Sequence, residues 1–526
     1  MNETSNIGHR TSDAPGRLAT WLSDRANPIL VRAVRQELRN KTFVGIFLVL
    51  LTVAAISAVV TAGIAGAEDR NPQAGRGLFG VLAWAWSFVV VVQSLGTFRA
   101  VVLERNEDTW DLVDLTGMGP RRILRGLLMA NLVQAQLYAA ALAPFLAMAY
   151  LLRGLDLFSI AFALIIVPLA GVAGSTCAVM MASLGTNKAS RGFLGGVLGL
   201  GLLGLWIAMF PFWINLTYGS GLESLLNEIS HGGADAWLFL GLWFNCWLAF
   251  VIAMLVFAGA LMAHRAADRS GGSRLLWLVL WLNALGWFIT FGWWDGHRGA
   301  LMHIGEVLAA FTVFGVLWAA ALGVFSVTEE FELSPRQARA ITQATGWRRF
   351  TTLLLGPGAA RGRLVFLMLT AASVLIGWLG TLLSDLAWPK QTVNAGLVLA
   401  CHGCFLIALG DWLCRRWFKT WIDTPVLRRG FILVLAACWC LVPVLAALVV
   451  NAQRLDQSFF AAISPVMAVA AVYDSSSNNR IDLALIVAGV VGVGSTGYLL
   501  IQAIRHLRIT TRRIAARDTD ANPRGG

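Results

Sequence analysis

Apolar runs of about 20 residues recur along the whole chain, and each is long enough to cross a hydrocarbon core roughly 30 Å thick. They fall at 43–65, 78–98, 126–152, 158–184, 192–216, 237–262, 275–292, 304–327, 364–383, 392–413, 431–450 and 482–502. A run of this length must satisfy every backbone polar group internally, so each is predicted to be a helix. The composition agrees: 57% of the 526 residues are apolar and 13% are charged, against about 25% charged in a soluble domain. An ordinary soluble enzyme and a disordered chain are both excluded. The expected fold class is an all-α, polytopic helical membrane protein with about 12 transmembrane helices. Segments between runs stay within about 40 residues, which leaves little room for a separate soluble domain.

The basic residues set the expected orientation. With the amino terminus inside, 34 of the 41 Lys and Arg fall in inside segments, as the positive-inside rule requires. Both termini are therefore expected in the cytoplasm. The net charge of +12 reads as a topology signal. It is spread over seven segments, so no nucleic-acid partner is expected. No short apolar stretch precedes the first span, so that span is expected to serve as an uncleaved signal. Trp237, Trp243, Trp293, Trp294 and Trp388 stand at predicted span ends, where an indole faces lipid on one side and water on the other.

Loop lengths repeat where residues do not. Long inside loops follow helices 2 and 8, and sizeable outside loops follow helices 5 and 11. Two parallel six-helix halves would produce this pattern, which transporters use; coincidence among eleven loops is the alternative. The expected organisation is a cytoplasmic tail at 1–42 carrying an amphipathic interfacial helix and a first six-helix unit at 43–262 with a loop at 99–125. A linker at 263–274, a second unit at 275–502 with a loop at 328–363, and a basic tail at 503–526 complete it.

Four segments stand out. In Asn27–Arg39, helical spacing places Leu30, Val31, Val34 and Leu38 on one side and Arg32, Arg35 and Arg39 near the other. Such a helix lies in the membrane interface with its arginines toward head groups, either as a plain anchor or as a connecting helix that also touches a cytoplasmic partner. In Glu104–Gly126 a polar stretch leads into Trp110, Leu112, Val113 and Leu115, and Gly117, Gly119 and Pro120 break the helix. This suits either a short helix across the membrane face or a solvated loop. In Thr328–Arg363, Ser334-Pro335-Arg336-Gln337 is a helix start, either a second docking element or an ordered linker. Ser458–Asp474 is apolar, interrupted by Ser464-Pro465, and too short to span, which suits a re-entrant or interfacial helix.

No chemistry-bearing constellation is visible. Lys41 and Lys419 precede Thr, but Asn40 and Phe418 stand where a phosphate-cradling glycine is needed. No H-E-x-x-H or G-x-S-x-G occurs. Cys401-His402-Gly403-Cys404 sits in an apolar run without a second ligand pair and reads as packing. No catalytic, cofactor-binding or metal residue is assigned, and the chain is not expected to be an enzyme. Glu306 and Asp411 lie near span ends, and no mid-membrane charge cluster of the kind ion-coupled carriers use is seen.

The sequence N-P-I-L-V-R-A-V-R-Q-E-L-R before the first span resembles the start of bacterial ABC type-2 transporter permeases. The run E-R-N-E-D-T-W-D-L-V-D-L-T-G-M-G-P-R-R-I-L-R-G resembles that family's coupling-helix loop. The resemblance covers roughly residues 27–216. It implies the membrane subunit of an ATP-driven exporter in a bacterial inner membrane. A separate ABC ATPase subunit would carry ATP-Mg, and no cofactor would sit in this chain. Glu104, Trp110, Asp111, Leu112, Leu115 and Arg121 would make the ATPase contact, with Ser334, Pro335 and Arg336 as a second docking loop. If only the first half is permease-like, a second copy of the chain is also implied. An ion-coupled carrier or channel, and a non-transporting scaffold or assembly protein, remain the alternatives.

Overall fold

The computed structural model describes residues 28–39, 41–67, 74–106, 120–152, 157–185, 188–218, 233–263, 269–295, 300–329, 346, 351, 354–384, 386–418, 421, 425–450, 464–473 and 478–521. Among them all regular structure is helical. Among the described residues twelve helices are long and apolar enough to cross a membrane, and the protein is a multi-pass helical membrane protein.

The chain divides into two compact units, Met1–Ala263 and His264–Gly526. The first holds α1 (Pro28–Leu38), α2 (Lys41–Ala67), α3 (Ala74–Asn106), α4 (Pro120–Leu151), α5 (Leu157–Leu184), α6 (Lys188–Tyr218) and α7 (Ala234–Met262). The second holds α8 (Gly271–Asp295), α9 (Ala300–Val327), α10 (Ala359–Leu383), α11 (Ala387–Arg416), α12 (Pro425–Val450), α13 (Pro465–Tyr473) and α14 (Asn478–Ala521). Four of these begin on proline, whose fixed φ suits the first helical position and whose missing N–H costs nothing there. Prolines 144, 168, 211 and 443 lie inside helices, as membrane spans tolerate.

Several boundaries differ from the sequence reading. Helix α3 continues to Asn106 and α4 starts at Pro120, so the segment between them is 107–119, not 99–125. Charged Arg99 marks the end of the apolar run, yet Val101, Val102 and Leu103 carry the helix one more turn and beyond. Glu104 is therefore helical, and Arg121 lies in the first turn of α4. Helix α10 begins at Ala359, after Gly358 at φ 111°, a backbone setting that favours glycine. Arg361 and Arg363 thus sit inside a span helix. Helix α14 runs 44 residues to Ala521; residues 503–521 hold no Gly or Pro to stop it, so most of the expected tail is helix. The span expected at 275–292 is longer than read, at 25 residues. The short helix α13 lies within the segment read as re-entrant.

Much of the pattern of neighbours recurs in both units, although the first and third spans, α2 and α4, pack together in the first unit without an equal in the second. In the first, the second span α3 packs against α2, α4, α5 and α6, and the fourth span α5 packs against α4, α6 and α7. In the second, α9 packs against α8, α10, α11 and α12, and α11 packs against α10, α12 and α14. The third and sixth spans also touch in each, as α4 with α7 and α10 with α14. Helix α13 adds contacts to α11, α12 and α14, seating Ala468 and Val472 against Ala395, Val398 and Ala488.

Each core is built from aromatics and small residues. Phe79, Trp86, Tyr138 and Trp213 are buried in the first unit, and Trp281, Phe311 and Phe366 in the second. Trp84 and Trp206 stack at 4.5 Å between ring centroids, and each indole N–H donates to the other residue's carbonyl, at 3.2 and 3.1 Å. Trp277 and Trp318 repeat this arrangement in the second unit, at 3.0 and 3.2 Å. Helices α9 and α10 cross where Gly305 faces Gly380. A Cβ on either would come within 2.6 Å of the other's carbonyl oxygen. Small residues at such a crossing let the backbones meet in lipid, where apolar burial gives little drive.

Candidate functional site

In the first unit, Arg32 of α1 meets Glu104 at the end of α3. Helix α1 packs along α4 and touches α2. Leu30, Val31 and Val34 are half-buried, while Arg32, Arg35, Leu38 and Arg39 are exposed. The arginine face is as read; Leu38 lies outside the packed stripe. Arg32 Nη2 lies 3.6 Å from Glu104 Oε1, with the arginine side chain 71% exposed. At that exposure the pair sets position more than stability.

The next residue acts in a different direction. Arg105 Nη1 donates to the carbonyls of Ala182, Ser183 and Gly185 at 3.2, 2.9 and 3.3 Å. The last carbonyls of α5 have no intrahelical donor, and a cation there also meets the negative end of the helix dipole. Arg191 Nε, from the first turns of α6, donates to the same Gly185 oxygen at 3.2 Å. Further into the bundle, Asn131 of α4 donates to Thr97 Oγ1 of α3, and Gln93 Nε2 donates to the Asn131 carbonyl at 3.4 Å. Two consecutive residues at the root of segment 107–119 thus hold α1 on one side and the α5–α6 turn on the other.

Of the residues assigned to the partner contact, Trp110, Asp111, Leu112 and Leu115 lie outside the described residues, as does the side chain of Arg121. Ser334, Pro335 and Arg336 also lie outside them.

The second unit holds a charged cluster that sequence reasoning missed. Arg363, at 0% exposure, donates through Nη2 to Asp411 Oδ2 at 2.9 Å. Arg415, one turn along α11, donates to the other oxygen of Asp411. Arg274 pairs with Glu329 and donates to the Gly358 carbonyl at 3.0 Å. Arg429 Nε donates to Thr328 Oγ1 at 3.1 Å and lies over the Phe325 ring at 5.3 Å. Burial pushes the Glu329 carboxyl above its usual range, while Arg274 and Arg429 draw it back. A cleft lined by Thr328, Asp411, Cys414, Arg415, Arg428 and Ile432 opens at this cluster. In the sequence these arginines served only as span-end markers. The missed signal was that Glu329 and Asp411 stand at the same ends as the arginines.

No group of three His, Cys, Asp or Glu side chains suited to a metal occurs among the described residues. His402 Nδ1 lies 3.0 Å from the Val398 carbonyl within its own helix, and Cys404 is buried in the apolar core. Glu306 faces His303 at 3.5 Å, one turn away.

The chain matches no protein-family model, no curated protein and no solved structure.

Proposed function

We propose that this protein is the membrane-spanning permease subunit of an ATP-driven exporter, powered by a separate ABC ATPase on its cytoplasmic face. The observation that carries the reading lies at the end of α3, in the two residues that precede segment 107–119. Glu104 and Arg105, on α3, engage α1 and the end of α5, so a push arriving there would reach α3, α1 and α5 together. The resemblance of residues 104–126 to a coupling loop supplies the kind of partner. The substrate leaves no signature in the residues described.

The recurring neighbour pattern of the two units supports a single chain that supplies both halves of a pathway. An ion-coupled carrier would need a carboxyl free to exchange its ion, and Asp411 is engaged by two arginines. The test is to purify the chain with its ATPase and replace Trp110 and Leu112 with Asp. Loss of the ATPase, with the chain still folded in the membrane, is the expected result. Retention of the ATPase by both variants would overturn the assigned contact.

A further inference from the structure

Helix α13 begins in the middle of the second unit's spans, not at their end. Trp439 of α12 stands against Phe405 of α11, at 4.9 Å between ring centroids, and Ser464 donates to the carbonyl of Cys440 at 3.1 Å. Ser464 therefore lies near the level of Phe405, close to the centre of the span Trp388–Arg416. At the other end of α13, Tyr473 donates to Thr392 Oγ1 at 3.1 Å, near the start of that span. Thr392 and Phe405 are about 20 Å apart along α11 at roughly 1.5 Å per residue. The 9 residues of α13 cover about 14 Å of this, and the long Tyr473 side chain adds to its reach.

The chain arrives and departs at one end of the unit. Helix α12 runs antiparallel to α11, since Ile432 faces Gly410 as Trp439 faces Phe405. Its last residue, Val450, therefore lies toward the Ala387 end of α11. Gly492 of α14 lies against Cys401 and Ala488 packs with Ala395 and Val398, so α14 starts at that same end. A chain that leaves α12 there, stands at mid-span at Ser464 and is back by Tyr473 makes α13 a re-entrant half-helix. The distribution of basic residues puts this end outside. A chain break at such depth is tolerated only where protein or a water-filled cavity surrounds it, and Ser464 is fully buried.

The hold on α13 is slight. The helix carries no charged residue, and its buried contacts join Ala468 and Val472 to Ala395, Val398 and Ala488. Apolar packing of this kind gains little over contact with lipid. A hydrogen bond holds each end, through Ser464 and Tyr473. At the opposite end of the same spans, Arg363 and Arg415 clamp Asp411. We propose that α13 is a movable plug: seated against α11, α12 and α14, it closes the outer half of the second unit, and its withdrawal toward the outside opens that half to water. The inference concerns the second unit alone and does not rest on the exporter reading.

The test labels thiols in the full chain, held in sealed membrane vesicles of either orientation, with a charged, membrane-impermeant methanethiosulfonate. Peptide mass spectrometry locates the label. Ser464→Cys probes the deep end of α13 and Val472→Cys the shallow end. Both positions are fully buried while α13 is seated, and both replacements stay close to the native size. Native Cys404, buried in the core that α11 forms with α9 and α10, is the control within the same chain. Both introduced thiols should be labelled from the outside, and Cys404 should stay unlabelled. Tyr473→Phe, which removes the bond to Thr392, should speed both labellings about fivefold, the shift that one hydrogen bond gives an opening equilibrium. Labelling at position 472 alone would show fraying of the helix end and overturn withdrawal. No labelling above that of Cys404, or no change with Tyr473→Phe, would overturn the movable plug. Labelling of Cys404 at the same rate would reduce the effect to general loosening, and faster labelling from the inside would overturn the side of entry; either result removes the plug.

Discussion

Arg105 donates to the carbonyl oxygen of Ser183 at 2.9 Å, joining the end of α3 to the end of α5. The same guanidinium also donates to the carbonyls of Ala182, in the last turn of α5, and of Gly185, just past its end. The end of α3, where segment 107–119 begins, is therefore braced against the end of α5.

Replacing Arg105 with Ala should strip those carbonyls of a charged donor. Hydrogen bonds to charged groups contribute roughly 1.5–3 kcal/mol each before sharing and solvent exposure reduce them. A net loss of about 1–3 kcal/mol is expected for the part-buried set, seen as a lower unfolding midpoint in detergent. On the exporter reading, ATP hydrolysis by the bound ATPase should continue while transport falls. Unchanged transport would remove Arg105 from the coupling path.

The Arg32–Glu104 pair should behave differently. A double-mutant cycle with Arg32→Gln and Glu104→Gln should return a coupling of about 0–1 kcal/mol, as exposed ion pairs do. On the exporter reading, if the pair orients α1 against α3, the Glu104→Lys charge reversal should impair transport beyond its effect on stability, and Arg32→Glu in the same chain should restore part of it.

Asp411 should be costly to remove. Replacing it with Ala leaves Arg363 buried beside Arg415 without their shared carboxylate, and breaking a buried pair in this way costs about 3–5 kcal/mol. Poor accumulation or a strongly lowered midpoint is expected. Replacing Arg363 and Asp411 together by Met and Leu should recover much of the loss, since both charges then leave the interior. A double variant no more stable than Asp411→Ala would show that the pair is not the source of the cost.

Gly380 should not accept a side chain. Its Cβ would approach the Gly305 carbonyl within 2.6 Å and Leu308 Cβ within 2.9 Å. Gly380→Ala should cost about 1–3 kcal/mol through forced separation of α9 and α10. Gly286, where a Cβ meets nothing within 4 Å, is the matched control and should tolerate Ala. Equal effects at both positions would contradict the close crossing.

The spans were legible in the sequence because lipid forces every backbone group into a helix and every span into a long apolar run. Their ends were less so. Helix α3 passes Arg99 and α14 passes its last apolar stretch, because nothing in those residues breaks a helix and charged turns can project from the bilayer. The arginine face of α1 was legible from its 3.6-residue period. The Arg105 brace was not, since it joins residues nearly 80 positions apart. Nor was the Asp411 cluster, whose members lie on α8, just past the end of α9, and on α10, α11 and α12, and are adjacent only in the folded unit.

The most direct test of the exporter reading is a mild-detergent pull-down of the tagged chain from its own host, with quantitative mass spectrometry of what accompanies it. The account predicts a stoichiometric P-loop ATPase, two per chain if both units belong to one pathway, and its loss when Trp110 and Leu112 become Asp. Recovery of the intact chain without any ATPase, across several detergents, would contradict it.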